Sequence, residues 1–228
     1  MTDDYLSMLD NPIRERVKAL LKEDGECAER ICSETVEEAC ESVDALYKVT
    51  FKLITDCDNA LREICDAAEA CVRTLHTNGG VFAKNNDAFS VVCVFLMRME
   101  EKSATLAQAM LPSFSMQERV NECHVRVLSA RSTLSAVLES ADMRARADTY
   151  ARPLNRLEER WERISQLLSR YCQSLFAFSA NQLPEFMKKM QDCADFRGKG
   201  ASCDVRQIRM LCEALQYAVR EIDKPCFD

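Results

Sequence analysis

Residues 39–71 read ACESVDALYKVTFKLITDCDNALREICDAAEAC. Small or apolar side chains recur there in alternating steps of four and three: Ala39, Val43, Leu46, Thr50, Leu53, Cys57, Ala60, Ile64, Ala67 and Cys71. Such a repeat has a period of about 3.5 residues, the mark of a helix that lies lengthwise on a partner in a left-handed supercoil. Many of these side chains are small, which lets a partner backbone come close. The pattern predicts one helix from about residue 26 to 76, roughly 75 Å long at 1.5 Å per residue. The run Thr77-Asn78-Gly79-Gly80 ends it.

Outward from this stretch the same spacing returns. It runs through Phe82, Phe89, Val92, Leu96, Met99, Ser103, Leu106 and Met110. After Pro112 it resumes at Val120, Cys123, Val127, Ala130, Leu134, Val137 and Ala141. Residues 81–111 and 116–148 are therefore two helices or one helix kinked at Pro112. Ser115-Met116-Gln117-Glu118 reads as a capping box that restarts the helix. The stretch from Ala88 to Met99 is apolar on nearly every side, which predicts burial all round. Tyr150 to Pro153 read as a turn, followed by Leu154, Leu157, Trp161, Ile164, Leu168, Tyr171, Leu175 and Phe178. Pro184 kinks or breaks this third segment, which ends by Gly198. A last helix over about 204–223 carries Ile208, Leu211, Leu215, Val219 and Ile222. Before the first long segment, Asn11 and Pro12 open a short helix ending near Asp24-Gly25, with Ile13, Val17, Leu20 and Leu21 on its apolar face.

The expected organisation is a short amphipathic N-terminal helix (1–25), a long three-armed bundle (26–197), and a C-terminal helix and tail (198–228). The fold class is all-α: a long antiparallel coiled-coil-like bundle, since short connections force neighbouring arms to run in opposite directions. Composition agrees. Five glycines and five prolines leave no turn signals at the spacing a β-rich chain needs, and no glycine lies between Gly80 and Gly198. At 228 residues the chain can bury roughly 70% of its unfolded surface without a metal or disulfide staple.

Composition also narrows function. The net charge of −7 speaks against a general nucleic-acid binder, and the acid surplus sits in residues 1–75. Thr2-Asp3-Asp4 does not read as a secretory leader. The thirteen cysteines contain no CxxC pair and several fall on apolar helix positions, so they are expected to be reduced thiols acting as small hydrophobes. The expected location is cytoplasmic, peripheral to membrane or cytoskeleton. No catalytic residue is assigned and no cofactor is expected. The only histidines, His76 and His124, have no carboxylate or thiol partner at catalytic or metal-ligand spacing. Cys193, Cys203, Cys212 and Cys226 are spaced too widely and irregularly for a zinc site. No glycine-rich phosphate loop is present.

Two basic features are the candidate binding sites. Arg144, Arg146, Arg152, Arg156 and Arg160 surround the turn between the second and third arms, followed by Arg163 and Arg170. Arg14, Arg16, Lys18 and Lys22 form the polar face of the first helix. Each could take an acidic partner or an anionic membrane surface. For the first cluster, pairing with acids such as Asp148, Glu158, Glu159 and Glu162 within one turn is the competing reading.

The layout resembles a BAR domain. The resemblance rests on arms at about 26–76, 81–148 and 153–197, breaks at Pro112 and Pro184, the amphipathic first helix, and Arg144, Arg146, Arg152 and Arg156 at one tip. It implies a crescent-shaped antiparallel helical dimer that senses or shapes membranes. Leu157-Glu158-Glu159-Arg160-Trp161-Glu162-Arg163-Ile164 looks like the last helix of a spectrin repeat, as does the spacing from Leu175 to Phe186. That resemblance implies an adaptor that binds protein partners. On either reading the chain is expected to be a non-enzymatic scaffold, paired as a homodimer because apolar strips on so long a helix need a cover.

Overall fold

The computed structural model describes residues 11–77, 85–140, 147–195 and 202–222. Helix α1, Asn11–Thr77, is one unbroken element of 67 residues. The helix end expected near Asp24-Gly25 is absent. A lone interior glycine costs a helix only about 1 kcal/mol, and the long seam that follows outweighs it. Helices α2 (Asn85–Met110) and α3 (Ser113–Ser140) come next. Helix α4 spans Ala147–Ala177, and a π-helical turn, Phe178–Gln182, leads into α5, Leu183–Cys193. Two-residue strands β1 (Ala194–Asp195) and β2 (Ser202–Cys203) pair antiparallel before α6, Val205–Arg220. The fold is all-α, with this bridge as a minor addition.

The three prolines expected to mark breaks behave differently from one another. Pro112 sits in a two-residue turn between α2 and α3. Hydrogen bonds to the third preceding residue continue across it, from Leu111 N to Gln108 O (3.2 Å) and from Phe114 N to Leu111 O (3.3 Å). Helix α3 starts at Ser113, directly after Pro112, rather than at the expected capping box. The Ser115 hydroxyl donates backward to the Pro112 carbonyl (3.1 Å). Pro153 lies inside α4, so the turn expected at Tyr150–Pro153 is helical instead. Pro184 is accommodated upstream. A proline ring clashes with the carbonyl four residues earlier in an α-helix. Here the chain widens first, and the Leu183 N–H bonds to Phe178 O across five residues. Helix α6 begins one residue after its cap, Asp204, whose Oδ1 accepts from the Arg206 and Gln207 N–H groups (3.1 Å each).

The chain divides into two compact units, each built from separated stretches of sequence. The first comprises residues 1–48 and 118–163, the second residues 49–117 and 164–228. In the first unit α3 and α4 run antiparallel: Arg131 meets Asn155 and Glu158, while further back Val120 and His124 meet Trp161. Its core holds Cys32, Ala39, Val43 and Leu46 of α1, Val120, Cys123, Val127 and Leu134 of α3, and Leu154 and Leu157 of α4. In the second unit α1 and α2 run antiparallel. Lys102 bonds Glu63 (3.0 Å), and one cleft is shared by Ala67–Thr74 and Ser90–Arg98. There α1 buries adjacent pairs, Leu53 with Ile54 and Ala60 with Leu61, because neighbours cover a wider face. Tyr171, Leu175, Phe178, Leu183 and Met190 complete that core together with Ile208 and Cys212.

The seam read from residues 39–71 is the buried stripe of α1, with one shift: Ala68 is buried and Ala67 half-buried. A straight helix repeats every 3.6 residues, so a strict 3.5 repeat drifts from the true face. The stretch from Ala88 to Met99 is not buried all round, since Val94 and Met97 face outward. Among the described residues, no helix is long and apolar enough to cross a membrane.

Candidate binding surface

Of the arginines expected to form a basic tip, Arg144 and Arg146 lie outside the described residues. Arg14, Arg16, Lys18 and Lys22 fall on helical backbone of α1, with side chains outside the described set. Arg152 and Arg156 are exposed on α4. Arg152 Nη2 lies 3.9 Å from Asp148 Oδ2 one turn away. An ion pair so long and so exposed contributes at most a few tenths of a kcal/mol, or about nothing.

Arg160 is placed differently. Its Nη1 donates to Asp44 Oδ1 at 2.6 Å, and its guanidinium carbon stands 5.2 Å from the centre of the Tyr47 ring. It therefore clamps α4 to α1 within the first unit. Arg131, not singled out in the sequence, does the same between α3 and α4, donating to Glu158 Oε2 (2.7 Å) and Asn155 Oδ1 (2.9 Å). Pairing within one turn, the competing reading for this cluster, is seen in Arg152 with Asp148, whereas the Arg160 and Arg131 pairs cross between helices. No local spacing could have revealed that, because Asp44 and Arg160 are 116 residues apart.

Trp161 sits beside the clamp. Its indole N–H donates to the Val120 carbonyl (2.9 Å), and its ring stacks on His124 with centroids 3.8 Å apart and planes 11° from parallel. His124 is thus a stacking partner in an interhelical contact. Among the described residues, no three His, Cys, Asp or Glu side chains gather where they could hold a metal.

No protein-family model matches this chain, and no curated protein or solved structure matches it. What it can do is therefore read from its surfaces.

The second unit carries the most distinctive one. Along α2, residues 90, 94, 97, 101, 104 and 108 are exposed, and so is residue 111 in the turn that follows it. They step by four and three, as the buried seams do. They include Val94, Met97, Ala104 and Leu111, and Phe114 follows at the start of α3 with 71% of its surface open. Phe114 also leans on Phe176, ring centroids 5.4 Å apart. The helix thus has a second, outward-facing stripe at coiled-coil spacing, opposite the buried one at Val92, Leu96, Met99, Leu106 and Met110. A second opening, of about 530 Å³, lies between α4–α5 and α6 and is bordered by Glu185, Phe186, Lys189 and Tyr217.

Inside the same unit polar groups are placed in the core. Tyr171 is fully buried, and its hydroxyl donates to Asp58 Oδ1 at 3.0 Å. Burial, the neighbouring Asp58 charge and Cys57 all push the phenol's pKa upward. The Thr50 hydroxyl, on the α1 seam, is buried with no hydrogen-bond partner among the described residues.

Proposed function

We propose that this protein is a non-enzymatic helical scaffold that pairs with a second copy of itself along the outer stripe of α2. The observation that carries the reading is the recurrence of Val94, Met97, Ala104 and Leu111 on an exposed face at the spacing that elsewhere in the chain makes helix–helix seams. Scattered apolar side chains on a surface need no explanation, but a stripe in coiled-coil register does. A supercoiled seam wants a helix opposite it, and a two-fold axis supplies one from the same sequence. An adaptor role, with helices of another protein on the same stripe, is the alternative. Arg160 lends no support to a membrane-facing tip, since its guanidinium is held by Asp44 and Tyr47.

Light scattering on the full chain tests this directly. The expected result is a dimer mass that falls to the monomer in Met97→Glu/Leu111→Glu, with helix content unchanged by circular dichroism. Both side chains are exposed in the single chain, so neither change disturbs its core. A wild-type chain that is monomeric at all concentrations would remove self-pairing. A dimer insensitive to both substitutions would move the interface off α2.

A further inference from the structure

The outer stripe of α2 ends in two unlike features. Near its start, Ala67, Ala70 and Thr74 of α1 and Val91, Val94 and Phe95 of α2 wall a cleft of about 300 Å³. Val94 belongs both to the stripe and to the cleft wall, so the cleft opens beside the stripe. At the far end Leu111 and Phe114 stand out, 62% and 71% exposed. The hydrogen bonds from Leu111 N to Gln108 O and from Phe114 N to Leu111 O carry a helical path through the turn. Phe114 therefore follows Leu111 on the same side. One end of the stripe is hollow and the other protrudes.

We propose that the second copy lies antiparallel on this stripe, each copy seating Leu111 and Phe114 at the cleft of the other. The inference rests on the self-pairing reading above and fixes the direction and register of that pairing. A two-fold axis at right angles to α2 brings the start of one stripe onto the end of the other. With Val94 opposite Leu111, the next layers set Met97 opposite Gln108 and Glu101 opposite Ala104. The same pairs then repeat in reverse order. In that register Phe114 of one copy comes level with Val91 of the other, on the cleft wall. Because the interface is self-complementary, both clefts are filled at once.

Charge selects the same register independently. Glu101 stands in the middle of the stripe, its side chain 72% exposed and 4.0 Å from Lys102, which is itself held by Glu63 at 3.0 Å. A parallel pair would set Glu101 directly on the Glu101 of the other copy and leave both clefts bare. Like charges facing one another at a seam select against that arrangement. The antiparallel register instead sets each Glu101 on Ala104 of the other copy. The small methyl leaves the carboxylate room to turn toward solvent, and the two carboxylates are offset by one layer. Sliding the copies by a heptad in one direction brings Arg98 onto Arg98 and Glu100 onto Glu100 along the exposed flanks. Sliding them by a heptad in the other direction leaves Val94 and Met97 uncovered. The register that buries the apolar ends is therefore also the one that keeps like charges apart.

The test is photocrosslinking of the full chain with p-benzoylphenylalanine in place of Phe114, in an equal mixture of heavy-isotope-labelled and unlabelled protein. A link between a labelled and an unlabelled peptide joins two copies. Such links should map to residues 90–98 or 67–74 of the other copy. Links to any other stretch, such as residues 111–117 in a parallel pair, or a dimer mass with no mixed link, would overturn the proposal and leave self-pairing standing. A monomer mass with no mixed link would remove both. Phe114→Ala should weaken the dimer about tenfold or more, as loss of a buried aromatic anchor does. Unchanged dimer affinity in Phe114→Ala, alongside dissociation in Met97→Glu/Leu111→Glu, would place Phe114 outside the interface and sink the proposed register. The link map decides even where Phe114→Ala also loosens the contact with Phe176.

Discussion

Tyr171→Phe removes one oxygen from a ring that has no exposed surface, and its cost can be worked from two distances. The hydroxyl is 3.0 Å from Asp58 Oδ1 and 3.5 Å from the Ile54 carbonyl. Only the first lies in the range of a real O–H···O bond. A hydrogen bond to a charged acceptor contributes about 1.5–3 kcal/mol. Asp58 is only half-buried, so water can replace the phenol in part, and the expected loss is toward the lower end, about 1.5 kcal/mol. With a urea dependence of about 2–3 kcal/mol per molar, the midpoint should fall by roughly 0.5–0.8 M. The pH dependence carries the sharper signature. The buried phenol's pKa is raised above its ordinary value of 10.0. Above pH 10 the unfolded tyrosine releases its proton while the folded one keeps it. The unfolded state then binds fewer protons, and stability falls as pH rises. Phenylalanine does not titrate, so the wild-type advantage should be constant up to about pH 9.5. It should then shrink by up to about 1.4 kcal/mol per pH unit. Raised thiols such as Cys57 give the same alkaline slope in both proteins and cancel in the difference. Urea titrations by circular dichroism at pH 8 and pH 11 measure both effects. A variant as stable as wild type at pH 8, or one whose deficit is unchanged at pH 11, would refute the reasoning.

Thr50→Val should stabilise the chain by about 1 kcal/mol, because it replaces an unpaired buried hydroxyl with a methyl of similar shape; a loss of stability would mean that the hydroxyl has a partner. Gly25→Ala should raise stability by about 0.5–1 kcal/mol, since a Cβ there meets nothing within 4 Å and the residue is helical; thermal unfolding reports it. Arg160→Ala should cost about 1 kcal/mol through its clamp on Asp44 and Tyr47, an effect reduced in high salt, whereas Arg152→Ala should cost nothing measurable. Equal effects from the two would contradict the difference drawn between them.

The helices were legible because their buried faces repeat. From Val43 to Ile64 every side chain that steps by four and three is buried, joined by Ile54 and Leu61. Single breakers weigh less than the packing around them. Gly25 and Pro153 each carry a penalty of one to a few kcal/mol, which a long packed helix absorbs. The outward stripe of α2 was hidden for a related reason: Val94 and Met97 look like core in a run that is apolar on most sides, and only the placement of neighbours leaves them outside. The arginine cluster was visible as charge, yet its chemistry depends on Asp44 and Tyr47, far away in sequence.

The interleaving of the two units along the chain constrains how the molecule can be taken apart. Each unit draws on two stretches separated by a stretch of the other, and α1, α3 and α4 each contribute to both. No single cut yields an intact half. Gene fragments ending near residue 48 or 117 would leave hydrophobic stripes bare, and such products should be recovered in inclusion bodies. A protease that nicks the chain once should leave both pieces clinging together until denaturant is added.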